Sequence, residues 1–260
     1  MNDLPPAAFA AALASLAPAT LHRLGALLRH HEPDEAWQVV SGRAPARGLA
    51  ARVLADPRVA DWFRATAEVT DPAAVWSTCN RLGLQVLVHG RDGYPALLVD
   101  DPLPPPVLFA RGSLALLDGR RVAVVGTRNA TAAGRQAARA LAADLAGAGV
   151  HVVSGLARGV DGVAHRAVLA SDGPGRPVAV VGSGLDVVYP REHRDLWRDV
   201  GLQGLLLSEA PPGSPPEPWR FPLRNRIVAA LSEVVVVVES RERGGSLITA
   251  DAALERGVPL

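Results

Sequence analysis

The chain has 260 residues, 48% of them hydrophobic, enough to bury the core of one large domain or of a large and a small one. All 27 basic residues are arginine, set against 26 acids, so a lysine-dependent phosphate turn, Schiff base or general base is excluded. Cys79 is the only cysteine, which rules out an internal disulfide and any multi-cysteine zinc site.

At the N-terminus, "MNDLPPAAFAAALASLAPAT" lacks the positive stretch of a secretory signal, and no long uncharged apolar run follows anywhere. A reduced, cytoplasmic protein without a membrane span is expected, with Cys79 packed as a buried thiol. Residues 1–84 read as a small helical module. Apolar positions recur at helical spacing in "LHRLGALLRHHEPDEAWQVV" and "GLAARVLADPRVADWFRATA", and proline and glycine punctuate between them. A strand-like "LQVLVHG" comes next. The proline-rich "RDGYPALLVDDPLPPPVLFARG" is then expected to run as extended linker over the surface of the following domain.

From Arg121 the pattern becomes strand, loop, helix, repeated. "RVAVVG", "VHVVSG", "RPVAVVGSG", "GLLLSEA" and "EVVVVVES" read as strands, each leading into a helical stretch. Their continuous valine and leucine runs predict strands buried on both faces, hence a doubly wound, mainly parallel α/β sheet of extended Rossmann-like form over 85–260. The closing "GVPL" is expected to open a further strand, with the chain stopping inside or at the edge of this domain. Charge divides unevenly: residues 1–118 hold ten arginines against twelve acids, and 119–260 hold seventeen against fourteen.

Ligands of such sheets bind outside the carboxyl ends of the strands. In "VAVVGTRNATAAG", Gly126 ends a strand as in a dinucleotide turn, but Arg128 stands where the second glycine would let a pyrophosphate approach. No suitably placed acid follows the next strand, which ends in Ser154, so ordinary dinucleotide binding is not expected. Thr131 is expected to cap the following helix and leave its N-terminal N–H groups open to an anion, with Arg128 adding a bidentate fork. Alternatively Arg128 pairs with Asp161.

Arg224, Asn225 and Arg226 of "FPLRNRIVAALS" fall in a helical first turn, where cations oppose the macrodipole. Either an anionic ligand or Glu209 or Glu239 would offset them. In "RGGSLITAD", Gly245 and Ser246 suit an anion nest or a plain strand-to-helix turn. Asp161 and His165, four apart in "SGLARGVDGVAHRA", are expected to brace the loop at Ser154 and Gly155 by hydrogen bonds. Two such groups make a poor metal site, and "VSGLA" is not a nucleophile elbow.

"YPALL", "VGTR", "SGLARGVDGVAH", "GSGLDVVYP", "SEAPPG", "FPLRNRIVAALS" and "GGSLITADAALERG" stand in this order over about 85–260. In that order they resemble the DNA-processing protein A family, also called Smf. The resemblance implies a non-enzymatic protein that binds single-stranded DNA without sequence preference, protects incoming DNA in natural transformation and loads RecA recombinase. It also implies a homodimer and no cofactor. Carried over by motif, Gly126, Arg128, Arg191, Arg224, Asn225, Arg226, Gly245 and Ser246 are expected to line the DNA pocket. Arg191 stands where the family often has lysine. Tyr189, Trp219 and Phe221 are the stacking candidates near them.

The helical module is similar to the family's only loosely, since "LAPATLHRLGALL" lacks the glycine hairpin of DNA-binding helix pairs. The next strand of the family fold and a C-terminal winged-helix-like domain are not in this sequence. Two other readings are a nucleoside-monophosphate hydrolase, for which Asp251 would be the acid to test, and a nucleotide-sensing domain.

Overall fold

The structure is a computed structural model describing residues 4–17, 19–242 and 244–260. Contacts divide the chain into a unit of Met1–Tyr94, Leu103–Phe109 and Ala210–Pro212, and a unit of Pro95–Pro102, Ala110–Glu209 and Gly213–Leu260.

The first unit carries six helices: α1 (Pro6–Ser15), α2 (Leu21–His30), α3 (Pro33–Val40), α4 (Gly48–Leu54), α5 (Pro57–Glu68) and α6 (Pro72–Arg81). Their starts are written locally. α3, α5 and α6 each open on a proline, whose missing N–H costs nothing in the first turn. The Asp56 and Asp71 carboxylates accept from Arg58 N and Ala73 N at 3.0 and 2.9 Å, capping α5 and α6. Phe9, Leu13, Leu27, Trp37, Phe63 and Cys79 form its buried interior.

β1 (Gln85–Val88) lies beside β2 (Val107–Gly112). β2 corrects the expectation of a continuous extended linker. Once past Pro104–Pro106 the chain supplies four apolar residues, Val107 to Ala110, at most 1% exposed, and their burial favours a strand. The chain before it is held by the Tyr94 hydroxyl, which donates to Pro105 O at 2.8 Å.

In the second unit the predicted alternation is present: β3 (Arg121–Gly126), α7 (Ala132–Gly147), β4 (His151–Ser154), α8 (Val160–Leu169), β5 (Pro177–Val181), α9 (Arg194–Gln203), β6 (Leu205–Ser208), α10 (Arg220–Ala230), β7 (Val234–Glu239) and α11 (Gly245–Leu254). The strands run parallel in the order β6-β5-β4-β3-β7, with Val122 opposite both Val152 and Val234, and Val178 opposite Leu205. Ala138, Ala142 and Ala146 of α7 are fully buried, and their small side chains let the helix lie close on Val124, Val152 and Val168.

The chain winds outward from β3 to β6 and then returns to place β7 on the other side of β3. The reversal of winding therefore falls between β3 and β7, where such sheets open a crevice. The final "GVPL" forms no strand, although Pro259 O accepts from Val235 N at 2.9 Å, so the tail starts along β7.

Candidate functional site

At the carboxyl ends of these strands lies a cleft of about 540 Å³, lined by Arg128, Gly155, Asp161, Phe221, Arg224 and Ser246 among others. A recess of about 180 Å³ beside it is walled by Arg128, Ser183, Tyr189, Phe221 and Arg224.

The β3–α7 loop leaves Gly126 at the tip of its strand. A Cβ there would overlap Val160 of α8 and the Glu239 carbonyl, so close packing alone demands glycine. Gly159, at φ +75°, does the same for the start of α8: a side chain on it would strike the backbone of Thr127 and Arg128. Arg128 itself is exposed. Its guanidinium lies over the Phe221 ring, 5.2 Å from the centroid, rather than pairing with Asp161. Phe221 in turn packs on Tyr189 with centroids 5.3 Å apart. Two of the three expected stacking residues and one expected cation thus form one continuous surface. Trp219 is also exposed and carries Arg220 over its ring.

Arg224 reaches the cleft floor from α10. It is 6% exposed, lies against Gly155, and donates to Val180 O through Nη1, while its Nε has no hydrogen-bond partner among the described residues. Burial pushes its guanidinium down to about 10; Asp161 opposes this shift and Arg128 adds to it. The buried Asp161 carboxylate accepts from Gly155 N and Ala157 N at 3.1 and 3.4 Å, the loop brace expected of it. Burial raises its pKa, with Arg224 the chief opposing influence. Ser154 braces the same strand end by donating to Val124 O at 2.7 Å.

Three expectations need correction. His165 makes no bracing hydrogen bond of normal geometry among the described residues: it is fully buried, and burial drives its pKa down to about 3. Ser154's backbone favours the charged ring without meeting hydrogen-bond geometry. Arg226 is not turned to the cleft, because the Glu209 carboxylate takes both ends of its guanidinium at 2.7 and 2.5 Å. Arg191 is exposed at the start of a short 3₁₀ turn after the cis Tyr189–Pro190 bond, next to the two residues of that bond that line the recess. Finally, the α7 N-terminus is partly taken by the protein's own groups. Thr131 caps it by accepting from Gly134 N at 3.0 Å, and the Glu239 carboxylate occupies the neighbouring donors.

Asn225 and Ser246 do reach the cleft, but with partners of their own. Asn225 Nδ2 donates to Gly245 O at 3.1 Å, tying α10 to the start of α11, and the Ser246 hydroxyl donates to Ser240 Oγ at 2.8 Å. Gly244 and Gly245 line the cleft at the uncapped start of α11; Arg243 beside them lies outside the described residues. Arg241, which residue-level reasoning overlooked, is an exposed cation in the lining. Its place just after the last strand was the available signal. Asp251 is exposed on α11 and is not part of the lining. Among the described residues no group of three or more histidines, cysteines and acids is placed to hold a metal, and no helix is long and apolar enough to cross a membrane.

The site can therefore offer an exposed guanidinium on an aromatic pair, a second exposed arginine, and a buried arginine beneath a glycine. Such a surface suits an anion with flat faces.

Comparison with known proteins agrees in kind. The family model described as DNA recombination-mediator protein A matches residues 85–260. The DNA processing protein DprA of Bacillus subtilis (strain 168) is 43% identical over 176 residues, which cover 67% of this chain and 59% of that protein. Protein Smf of Escherichia coli (strain K12) is 44% identical over 165 residues, 63% of this chain and 44% of that one. The chain thus spans less than two thirds of the length of these relatives. Among solved structures, DNA processing protein A of Streptococcus pneumoniae superposes with a TM-score of 0.76 at 30% identity, covering 98% of this chain and 84% of that one. The Helicobacter pylori protein, solved for its single-stranded DNA binding mode, gives 0.62 at 31% identity over 68% of this chain and 79% of its own.

Proposed function

Since this chain belongs to the DNA recombination-mediator protein A family, we propose that its 85–260 part binds single-stranded DNA without sequence preference, as a recombination mediator and not as an enzyme. The observation that carries this reading is Arg128 laid over Phe221, itself packed on Tyr189, at the mouth of the cleft. A phosphate needs the guanidinium and an unpaired base needs an aromatic face, and the two stand side by side. A duplex, with its bases stacked inside, would use only the first. The likeness to the Helicobacter pylori protein supports the same ligand.

On this reading the protein works in the cytoplasm, protects incoming DNA during natural transformation, hands it to RecA recombinase and acts as a homodimer, without a cofactor. Helical residues 1–84 form an accessory module to that activity.

Binding of a labelled oligo-dT and of a duplex of equal length, followed by anisotropy across a salt series, tests it. Expected are tighter binding of oligo-dT and a linear fall of log affinity with log salt, about 0.7 in slope for each phosphate contacted. Equal affinity for duplex, or binding indifferent to salt, would overturn it.

A further inference from the structure

The crevice at the reversal of winding already holds an anion of its own. Glu239 ends β7, and its carbonyl accepts from Thr127 N at 2.8 Å, which fixes the end of β7 against the β3–α7 loop. Its carboxylate then turns onto the first turn of α7. Thr131 N donates to its two oxygens at 3.0 and 3.3 Å, and the Thr131 hydroxyl donates to Oε2 at 2.9 Å. The fit is close enough that a Cβ on Gly134 would overlap the carboxylate. Glu239 thus sits at the cap of α7, beside the positive dipole end where a nucleotide phosphate docks in folds of this kind.

We propose that Glu239 is a built-in occupant of the phosphate position at the cap of α7, next to the cleft rather than in its lining, and that it turns this position away from mononucleotides and dinucleotides. A phosphate entering there would meet a fixed negative charge at hydrogen-bonding range, with the Thr131 N–H and hydroxyl already used by it. A strand loses little by the same exclusion, because its many phosphates can be met by Arg128 and Arg241, which line the cleft away from the cap of α7. The proposal rests on the reading of the cleft as a strand-binding site and names what makes it selective.

The test is calorimetric titration of the full chain with AMP and with inorganic phosphate, for the unaltered protein, Glu239→Ala and Glu239→Gln. The unaltered protein is expected to show no saturable binding at millimolar ligand. Glu239→Ala is expected to gain affinity for both ligands by about ten-fold or more, and the isosteric Glu239→Gln by less, in keeping with the worth of one anion at a helix N-terminus. If Glu239→Ala fails to melt cooperatively, the glutamine variant decides. Saturable binding by the unaltered protein as tight as by the variants would overturn the proposal, as would folded variants with no gain. Oligo-dT is titrated alongside: its failure to bind the unaltered protein would sink the strand-binding reading but leave the phosphate comparison intact, so the two failures are distinguishable.

Discussion

Arg224 lies so closely against Gly155 that a β-carbon on the glycine would overlap its guanidinium. The pair joins the β4–α8 loop to α10 and sets the floor of the cleft. Gly155→Ala should therefore displace Arg224 or push the loop outward. A loss of about 1–3 kcal/mol in stability is expected, together with weaker oligo-dT binding. Thermal melts and anisotropy read the two effects. A variant as stable as the parent, with unchanged affinity, would mean that the floor is not rigid.

Arg226 and Glu209 form a buried ion pair, with side chains 7% and 16% exposed. Removing one partner strands the other's charge away from water. Arg226→Ala should cost about 3–5 kcal/mol in urea unfolding. Replacing both residues with leucine should recover much of that loss. The salt dependence of DNA binding by the folded variant should stay as it was, because Arg226 meets Glu209 and not the ligand. A shallower salt slope would restore Arg226 to the binding surface.

His165 gives a pH dependence of defined sign. Its ring takes a proton near 6.5 when unfolded but only at about 3 in the folded protein. Between those values the unfolded chain holds the extra proton, so acid favours unfolding. Its contribution is complete above pH 6.5 and is lost at up to about 1.4 kcal/mol per unit as pH falls towards 3. Asp161 acts in the opposite sense at the acid end, because its folded pKa is raised and a protonated carboxyl suits its burial. The comparison is thus between the parent and His165→Leu, whose melting temperature should fall less between pH 7 and 5. Parallel curves would contradict the assignment.

Phe221 carries the aromatic share of the site. Phe221→Ala should weaken oligo-dT binding by about 1–3 kcal/mol, the worth of a stacked base, and leave the salt slope unchanged because no charge is removed. Unaltered affinity would mean that bases do not use this face.

The alternation of strands and helices was legible because parallel strands buried on both faces must be written as unbroken valine and leucine runs, as at Val234–Glu239. Cleft residues that follow a strand directly, such as Arg128, were legible for the same reason: the fold places strand ends on one rim. What each arginine touches was not. Whether Arg226 meets a ligand or Glu209 depends on how α10 lies against the end of β6, a tertiary relation that leaves no local trace. Likewise nothing in "EVVVVVES" says that the Glu239 side chain turns back onto α7. β2 was missed because three prolines before it mark a turn, whereas the burial that makes a strand of Val107–Ala110 comes from packing.

The central claim is that Arg128, laid over Phe221, is a phosphate ligand for single-stranded DNA. The most direct measurement is the salt dependence of oligo-dT affinity for the parent and for Arg128→Ala, with thermal melts to show that both are folded. The account predicts a weaker complex whose log–log slope is shallower by about 0.7, one phosphate's worth. An unchanged slope at unchanged affinity would contradict it.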